Sequence, residues 1–218
     1  MIVLALGKAA SAMARGAVSA LDGLAIAGVV VSPDGARVSG LQAVAGEHPV
    51  PGPGSLRAGQ LLLEVAASAG RADLVLVLLS GGGSSLAEVP LLGCTLGDLQ
   101  AVGAALLRSG LPIDSVNTVR RHLSALKGGR LALAASPARV ATLVVSDVVG
   151  SLLEVIAGGP TVPDPTSAAD AMRVITDAAI PVPPGVFEVL RHEPGERLVE
   201  PGSVAVIADG PACAAAAA

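Results

Sequence analysis

The sequence predicts an α/β fold, a doubly wound and mostly parallel sheet with helices on both faces, of Rossmann-like type. Three observations predict it. Short runs of Val, Leu and Ile, each of strand length, recur along the chain, and Ala-rich segments of helical character lie between them. Hydrophobic residues make up 52% of the chain, yet no pure apolar run approaches the roughly 18 residues a membrane helix needs. A buried parallel sheet, apolar on both faces, accounts for that composition without a membrane.

The strands are expected at Ile2 to Leu6, Ala25 to Val31, Leu41 to Ala45, Leu74 to Leu79, Val140 to Val145 and Val204 to Ala208, each bounded by Gly, Pro, Asp or Ser. Helices are expected at Ala9 to Leu21, Ser55 to Ala69, Leu96 to Leu107, Ile113 to Ala134 with a break at Gly128-Gly129, and Ala168 to Ala178. Of three Pro-rich stretches, Val50 to Pro53 and Gly159 to Pro165 read as ordered site loops, because His48 and Asp164 accompany them. Ile180 to Gly185 reads as a plain connection. The first residues run straight into a Gly turn without a basic leader, so they read as a strand and not a signal peptide. At the other end, Ala214 to Ala218 arrive where a helix should follow the last strand, so further protein is expected beyond them.

Composition also excludes function classes. A net charge of −4, no basic run and a single aromatic residue, Phe187, argue against nucleic-acid binding, since neither a cationic track nor a stacking platform exists. Cys94 and Cys213 lie far apart without metal-type pairing; both read as buried free thiols, which fits a cytoplasmic protein.

In doubly wound sheets ligands sit beyond the carboxyl ends of the strands. The richest segment there is Ser80-Gly81-Gly82-Gly83-Ser84-Ser85, directly after the strongest strand. Three glycines let the backbone turn tightly and aim several N–H groups into one concavity, between hydroxyls, which suits a phosphate or carboxylate. The spacing is not that of a P-loop, which would end in Gly-Lys-Ser/Thr. At the end of the first strand stands Gly7-Lys8-Ala9-Ala10. A lysine at a helix start is electrostatically misplaced unless an anion joins it there; a side chain reaching solvent is the competing reading. Within Asn117 to Gly129, Val116, Val119, Leu123 and Leu126 form an apolar stripe. Asn117, Arg120, Ser124 and Lys127 repeat one residue along, about 100° around the helix. Beside the buried face such a stripe can line a cleft in which Arg120 and Lys127 grip an anion; solvated charges are the alternative. His122 falls off the stripe and reads as structural. Asp147, after the Val140 strand, can hold Mg²⁺, accept a hydroxyl proton, or cap a following helix.

These motifs, with Glu47-His48-Pro49 and Gly159-Pro160-Thr161-Val162-Pro163-Asp164, stand in the order and approximate spacing of the class II glycerate 2-kinases, the MOFRL-type proteins, and the sequence resembles that family over nearly its whole length. The resemblance implies transfer of the γ-phosphoryl group of ATP to the 2-hydroxyl of D-glycerate, with Mg²⁺, in a cleft between two domains. On that footing Lys8, Arg120 and Asp147 are the expected catalytic residues, with Asp147 also the metal ligand. Ser80 to Ser85, Asn117 and Lys127 would bind substrate or phosphate. Residues 1–218 would form the first domain, with the family's C-terminal domain and a helical segment before the first strand lying outside this chain. Two departures stand out: Ser151 where the family has Asp, and Gly158 where it has Ser. Some relatives carry the name hydroxypyruvate reductase, but a nicotinamide site would want G-x-G-x-x-G after a strand, and Gly7 is followed by Lys-Ala-Ala. An anion-binding domain without catalysis is a third reading. The expected partners are glycerate and ATP, and no membrane; the oligomeric state stays open, with a homodimer among the expectations.

Overall fold

A computed structural model describes residues 1–147, 152–192 and 201–209. Six parallel strands form one sheet: β1 Ile2–Leu6, β2 Ala27–Ser32, β3 Gln42–Ala45, β4 Leu74–Ser80, β5 Arg139–Val145 and β6 Ser203–Ala208. Their order is β3-β2-β1-β4-β5-β6. β1 and β4 pair in register at the centre, Ile2 against Val75 through Leu6 against Leu79. Because successive side chains of a strand point to opposite faces, these central strands feed two cores at once. Val3 and Ala5 join Val30 and Leu78 under helix α1, Ala10–Ala20, whose Ala10 and Ala14 allow close approach. Leu4, Leu6, Val77 and Leu79 pack on the other face against Ala58 and Leu62 of α2, Pro53–Ala67.

Beyond β4 come a short helix, α3 Gly83–Leu86, then α4 Leu96–Arg108 and α5 Ile113–His122. After them lie α6 Arg130–Ala134, a 3-10 turn at Ile156–Gly158, α7 Ala168–Asp177 and α8 Pro184–Arg191. Helices α4, α5, α7 and α8 enclose a further apolar cluster built on Leu106, Val119, Ile175 and Val186. The doubly wound parallel sheet expected from the sequence is the fold observed.

Two helix expectations are corrected. The helix from Ile113 stops at His122, not at Gly128-Gly129. Chain 123–127 leaves it to pair with the segment after α3: Leu91 N–H donates to the Leu123 carbonyl at 3.0 Å, and Ala125 N–H to the Val89 carbonyl at 2.7 Å. The Ser124 hydroxyl accepts from the Leu126 and Lys127 N–H groups, so donors that a continued helix would have paired are satisfied locally. The second correction concerns Ile180 to Gly185, read as a connection. Helix α8 begins there, with Pro184 in the first turn, where a missing N–H costs nothing.

Candidate active site

The sheet order changes direction between β1 and β4, and at such a switch point the following connections part to opposite faces and leave a crevice. The turns after both strands are stitched together there. Lys8 N–H donates to the Gly81 carbonyl at 2.9 Å, and Ala9 N–H donates to Ser80 Oγ at 3.0 Å. Gly82 adopts φ +84°, the left-handed region that favours glycine. A Cβ there would come within 3.1 Å of both Lys8 Cε and His48 Cδ2, so the lysine stem and the imidazole lie over it. A Cβ at Gly81 would collide with the Asp147 carboxylate. Lys8 and His48 therefore lie against Gly82 and Asp147 against Gly81, so the three side chains gather round one glycine turn at the hollow that such a switch point leaves.

Glu47 fixes the His48 loop. Its carboxylate accepts from the Gly54 N–H at 3.0 Å and the Ser55 N–H at 2.7 Å, at the start of α2. Desolvation alone would raise the Glu47 pKa, but these hydrogen bonds outweigh it and hold the group below its ordinary value. The His48 pKa is pushed down, first by desolvation and then by the Lys8 charge, so the ring beside the hollow is neutral at pH 7.

The loop's own polar groups divide. Ser80 is buried, its hydroxyl spent on the Ala9 amide. Ser85 turns both its N–H and its hydroxyl onto the Gly82 carbonyl, each at 3.2 Å. Those two serines, expected to face a ligand, build the turn instead, and Gly83 is buried with them. Gly81, Gly82 and Ser84 keep partial exposure. The Ser84 carbonyl accepts from Arg120 Nη2 at 3.3 Å. Desolvation lowers the Arg120 pKa, and the charge of Glu88 opposes that shift.

Lys127 needs the largest correction. Once α5 ends at His122 it no longer shares a helical stripe with Arg120, and it is fully buried instead of lining a cleft. Its ammonium pairs with Glu88 Oε2, and Ser124 donates to the other oxygen of the same carboxylate. A charge this deep is tolerated only with such a partner. Gly158 belongs to the same arrangement. With φ +78° and the Lys127 Cδ 2.6 Å from where a Cβ would stand, this position accommodates the lysine stem in place of a side chain. Asn117 is also buried, on α5. Ser151 lies outside the described residues, as does Cys213; Cys94 is half-buried and free.

Asp164, expected as a site-loop group, is a structural anchor. It accepts from the Thr166 N–H and hydroxyl at 2.9 and 2.7 Å and ion-pairs with Arg121 Nε at 3.0 Å, a contact without hydrogen-bond alignment. His122 Nε2 stands 3.3 Å from its second oxygen. Sequence reasoning missed Glu88, whose only clue was an acid inside the apolar stretch Leu86 to Leu92. It also missed a cavity of about 170 Å³ beside the hollow. That cavity is walled by Pro49 and Pro51 against Val102 and Gly103 of α4, and Arg120 and Glu88 also line it.

Comparison with known proteins decides the family. A family model described as "Domain of unknown function (DUF4147)" matches residues 1–191. The chain belongs to the DUF4147 family. It is 40% identical over 201 residues to a D-glycerate 2-kinase of Thermotoga maritima, covering 91% of this chain and 48% of the relative. It is 42% identical over 206 residues to an Agrobacterium vitis protein provisionally named hydroxypyruvate reductase, covering 94% and 47%. A crystal structure of glycerate kinase from Thermotoga maritima superposes with a TM-score of 0.89 at 39% identity, over 95% of this chain and 50% of that one. The DUF4147 chain thus spans about half the length of the relatives it matches. Among the described residues, no helix is long and apolar enough to cross a membrane.

Proposed function

We propose that this domain serves a cytoplasmic glycerate 2-kinase, which moves the γ-phosphoryl group of ATP to the 2-hydroxyl of D-glycerate. The observation that carries the reading is the convergence of Lys8, Gly81-Gly82 and Asp147 at the switch point of the sheet. Phosphoryl transfer asks the protein for positioning and charge neutralisation more than for covalent work. In the reaction a bond forms between the glycerate oxygen and the γ-phosphorus as the bridging oxygen leaves with ADP, and the hydroxyl proton departs to a base. Lys8 sits over the glycine turn, where its ammonium would offset charge on the transferring group. Asp147, against Gly81, would orient the attacking hydroxyl and take its proton. The same carboxylate suits Mg²⁺ carried in on ATP, because that ion commonly takes one or two carboxylates plus phosphate oxygens. Bound there, Mg²⁺ would supply charge neutralisation. Arg120, held at the Ser84 carbonyl of the same loop, would add positive charge near the anion.

The test is ADP release coupled to D-glycerate with the full-length protein. Lys8→Ala should lower turnover by about 10²–10³, the scale of losing one preorganised stabilising group, with an unchanged circular dichroism spectrum. Near-parental turnover would remove Lys8 from the chemistry. The reductase reading draws on the name carried by some of the relatives. NADH oxidation by hydroxypyruvate, without ADP release from glycerate, would establish it in place of the kinase.

A further inference from the structure

We infer that the apolar cavity between α4 and the Pro49–Pro51 loop takes the purine base of the nucleotide. This assigns the nucleotide to one side of the hollow and rests on the kinase reading for its phosphates. Four observations lead there. First, the cavity adjoins the anion site through shared parts: Pro49 follows His48, which lies over Gly82, and Arg120 lines the cavity while bonding the Ser84 carbonyl. Second, its polarity is graded. Aliphatic and prolyl side chains form most of the walls, Glu88 and Arg120 are the charged members, and the guanidinium reaches the Ser84 carbonyl just past the glycine turn. A ligand with an apolar flat end and an anionic tail matches that gradient.

Third, size discriminates. About 170 Å³ falls below the roughly 300–1,000 Å³ of sites that enclose a whole drug-sized ligand, so it suits one fused ring with the rest of the molecule outside. Glycerate is a poor occupant, because all of its hydroxyls and its carboxylate would lose water in a space whose walls are mostly apolar. Fourth, Gln100 supplies an edge. Its amide nitrogen donates to the Pro51 carbonyl at 2.7 Å, which leaves the amide oxygen as an acceptor in a mostly apolar lining whose charged members are Arg120 and Glu88. Adenine offers an exocyclic amino donor to such an oxygen; hypoxanthine presents a carbonyl there and would be disfavoured.

Gly103 gives a clean perturbation. A Cβ at this position meets nothing within 4 Å, so Gly103→Leu would fill the cavity without a backbone clash and would also improve a helix interior. With the full-length protein, KM for ATP should rise at least tenfold in Gly103→Leu while KM for D-glycerate stays within twofold. In parallel, adenosine, which lacks phosphates, should shift the methyl NMR signals of Leu99, Val102 and Leu107 in the parent protein. Inosine should do so more weakly, and inorganic phosphate not at all. An unchanged KM for ATP in Gly103→Leu would overturn the assignment. So would methyl signals indifferent to adenosine. The adenosine titration needs no turnover, so a protein that binds the nucleoside here but phosphorylates nothing would defeat the kinase reading and leave the base site standing.

Discussion

Glu88→Gln is the substitution whose cost the structure lets us work out. Lys127 has no exposed surface, and Glu88 is the carboxylate paired with its ammonium. Removing that negative charge strands a buried cation, which in proteins costs about 3–5 kcal/mol. The ammonium has an escape, because it can give up its proton. Burial already pushes the Lys127 pKa down, and the nearby Arg120 charge acts in the same direction; only Glu88 opposes them. Deprotonating a group of ordinary pKa 10.5 at pH 7 costs about 1.4 kcal/mol for each of 3.5 pH units, a ceiling of about 5 kcal/mol. At pH 9 the ceiling falls to about 2 kcal/mol. The sign follows from proton counting. The unfolded variant keeps its Lys127 proton up to about pH 10.5 while the folded variant has shed it, so stability rises with pH. Urea unfolding of parent and variant at pH 7 and pH 9 measures both ends. A Glu88→Gln protein within 1 kcal/mol of the parent at pH 7 would refute the reasoning, as would a penalty that fails to shrink by pH 9. Adding Lys127→Met to Glu88→Gln should restore much of the loss, because two apolar-compatible groups replace an uncompensated charge.

Three further outcomes are expected. Gly81→Ala puts a methyl group where the Asp147 carboxylate lies, so it should lower turnover at least tenfold while shifting the unfolding midpoint little; full activity would show that Asp147 can move freely. Bound phosphate would offset the Lys8 charge that helps depress His48, so the His48 pKa should rise when inorganic phosphate is added; an NMR titration compared with His48→Asn assigns the signal, and an unmoved value would place the anion elsewhere. For Asp164, burial by itself would raise the pKa, but Thr166, Arg121 and His122 together hold it below 3.8. Its contribution to stability is therefore present above about pH 4 and lost as pH falls through the lower folded value. Asp164→Asn should cost about 3–5 kcal/mol at pH 7 and much less near pH 2, as read by thermal unfolding.

How far the sequence discloses this molecule depends on how local the governing physics is. All six strands were legible, because short Val- and Leu-rich runs between breakers are a local signature; β1 agrees residue for residue. The turns carrying Lys8, Gly81 and Asp147 were legible for the same reason, since strand ends locate themselves. The fate of residues 123–129 was not. Helical spacing continues through Leu126, yet segment 89–91 offers backbone partners 34 residues away, and pairing with it outweighs another turn of helix. Helix α8 was hidden by its own prolines, which resemble a linker until the register of Val186, Val189 and Leu190 on the apolar cluster is known. Glu88 illustrates the hardest case. Nothing within several residues of it in sequence says that its counter-ion is Lys127.

That pairing changes which cations are available to a ligand. Read as types, Lys8, Arg120 and Lys127 are three equal positive charges. Solvation separates them. Lys8 is exposed and free to meet an anion at little desolvation cost, whereas Lys127 is neutralised by Glu88 in the interior and adds almost no net field at the hollow. Arg120 lies between: a carbonyl occupies one of its N–H groups, and Glu88 offsets part of its charge. The glycine turn therefore has the full charge of Lys8 and a partly offset Arg120 near it, together with the Asp147 carboxylate. A lone carboxylate such as glycerate would be held weakly by that balance. On the proposed reading, a polyphosphate carrying its own divalent ion would match it better, since Asp147 would be available to the metal and Lys8 and Arg120 to the phosphate oxygens.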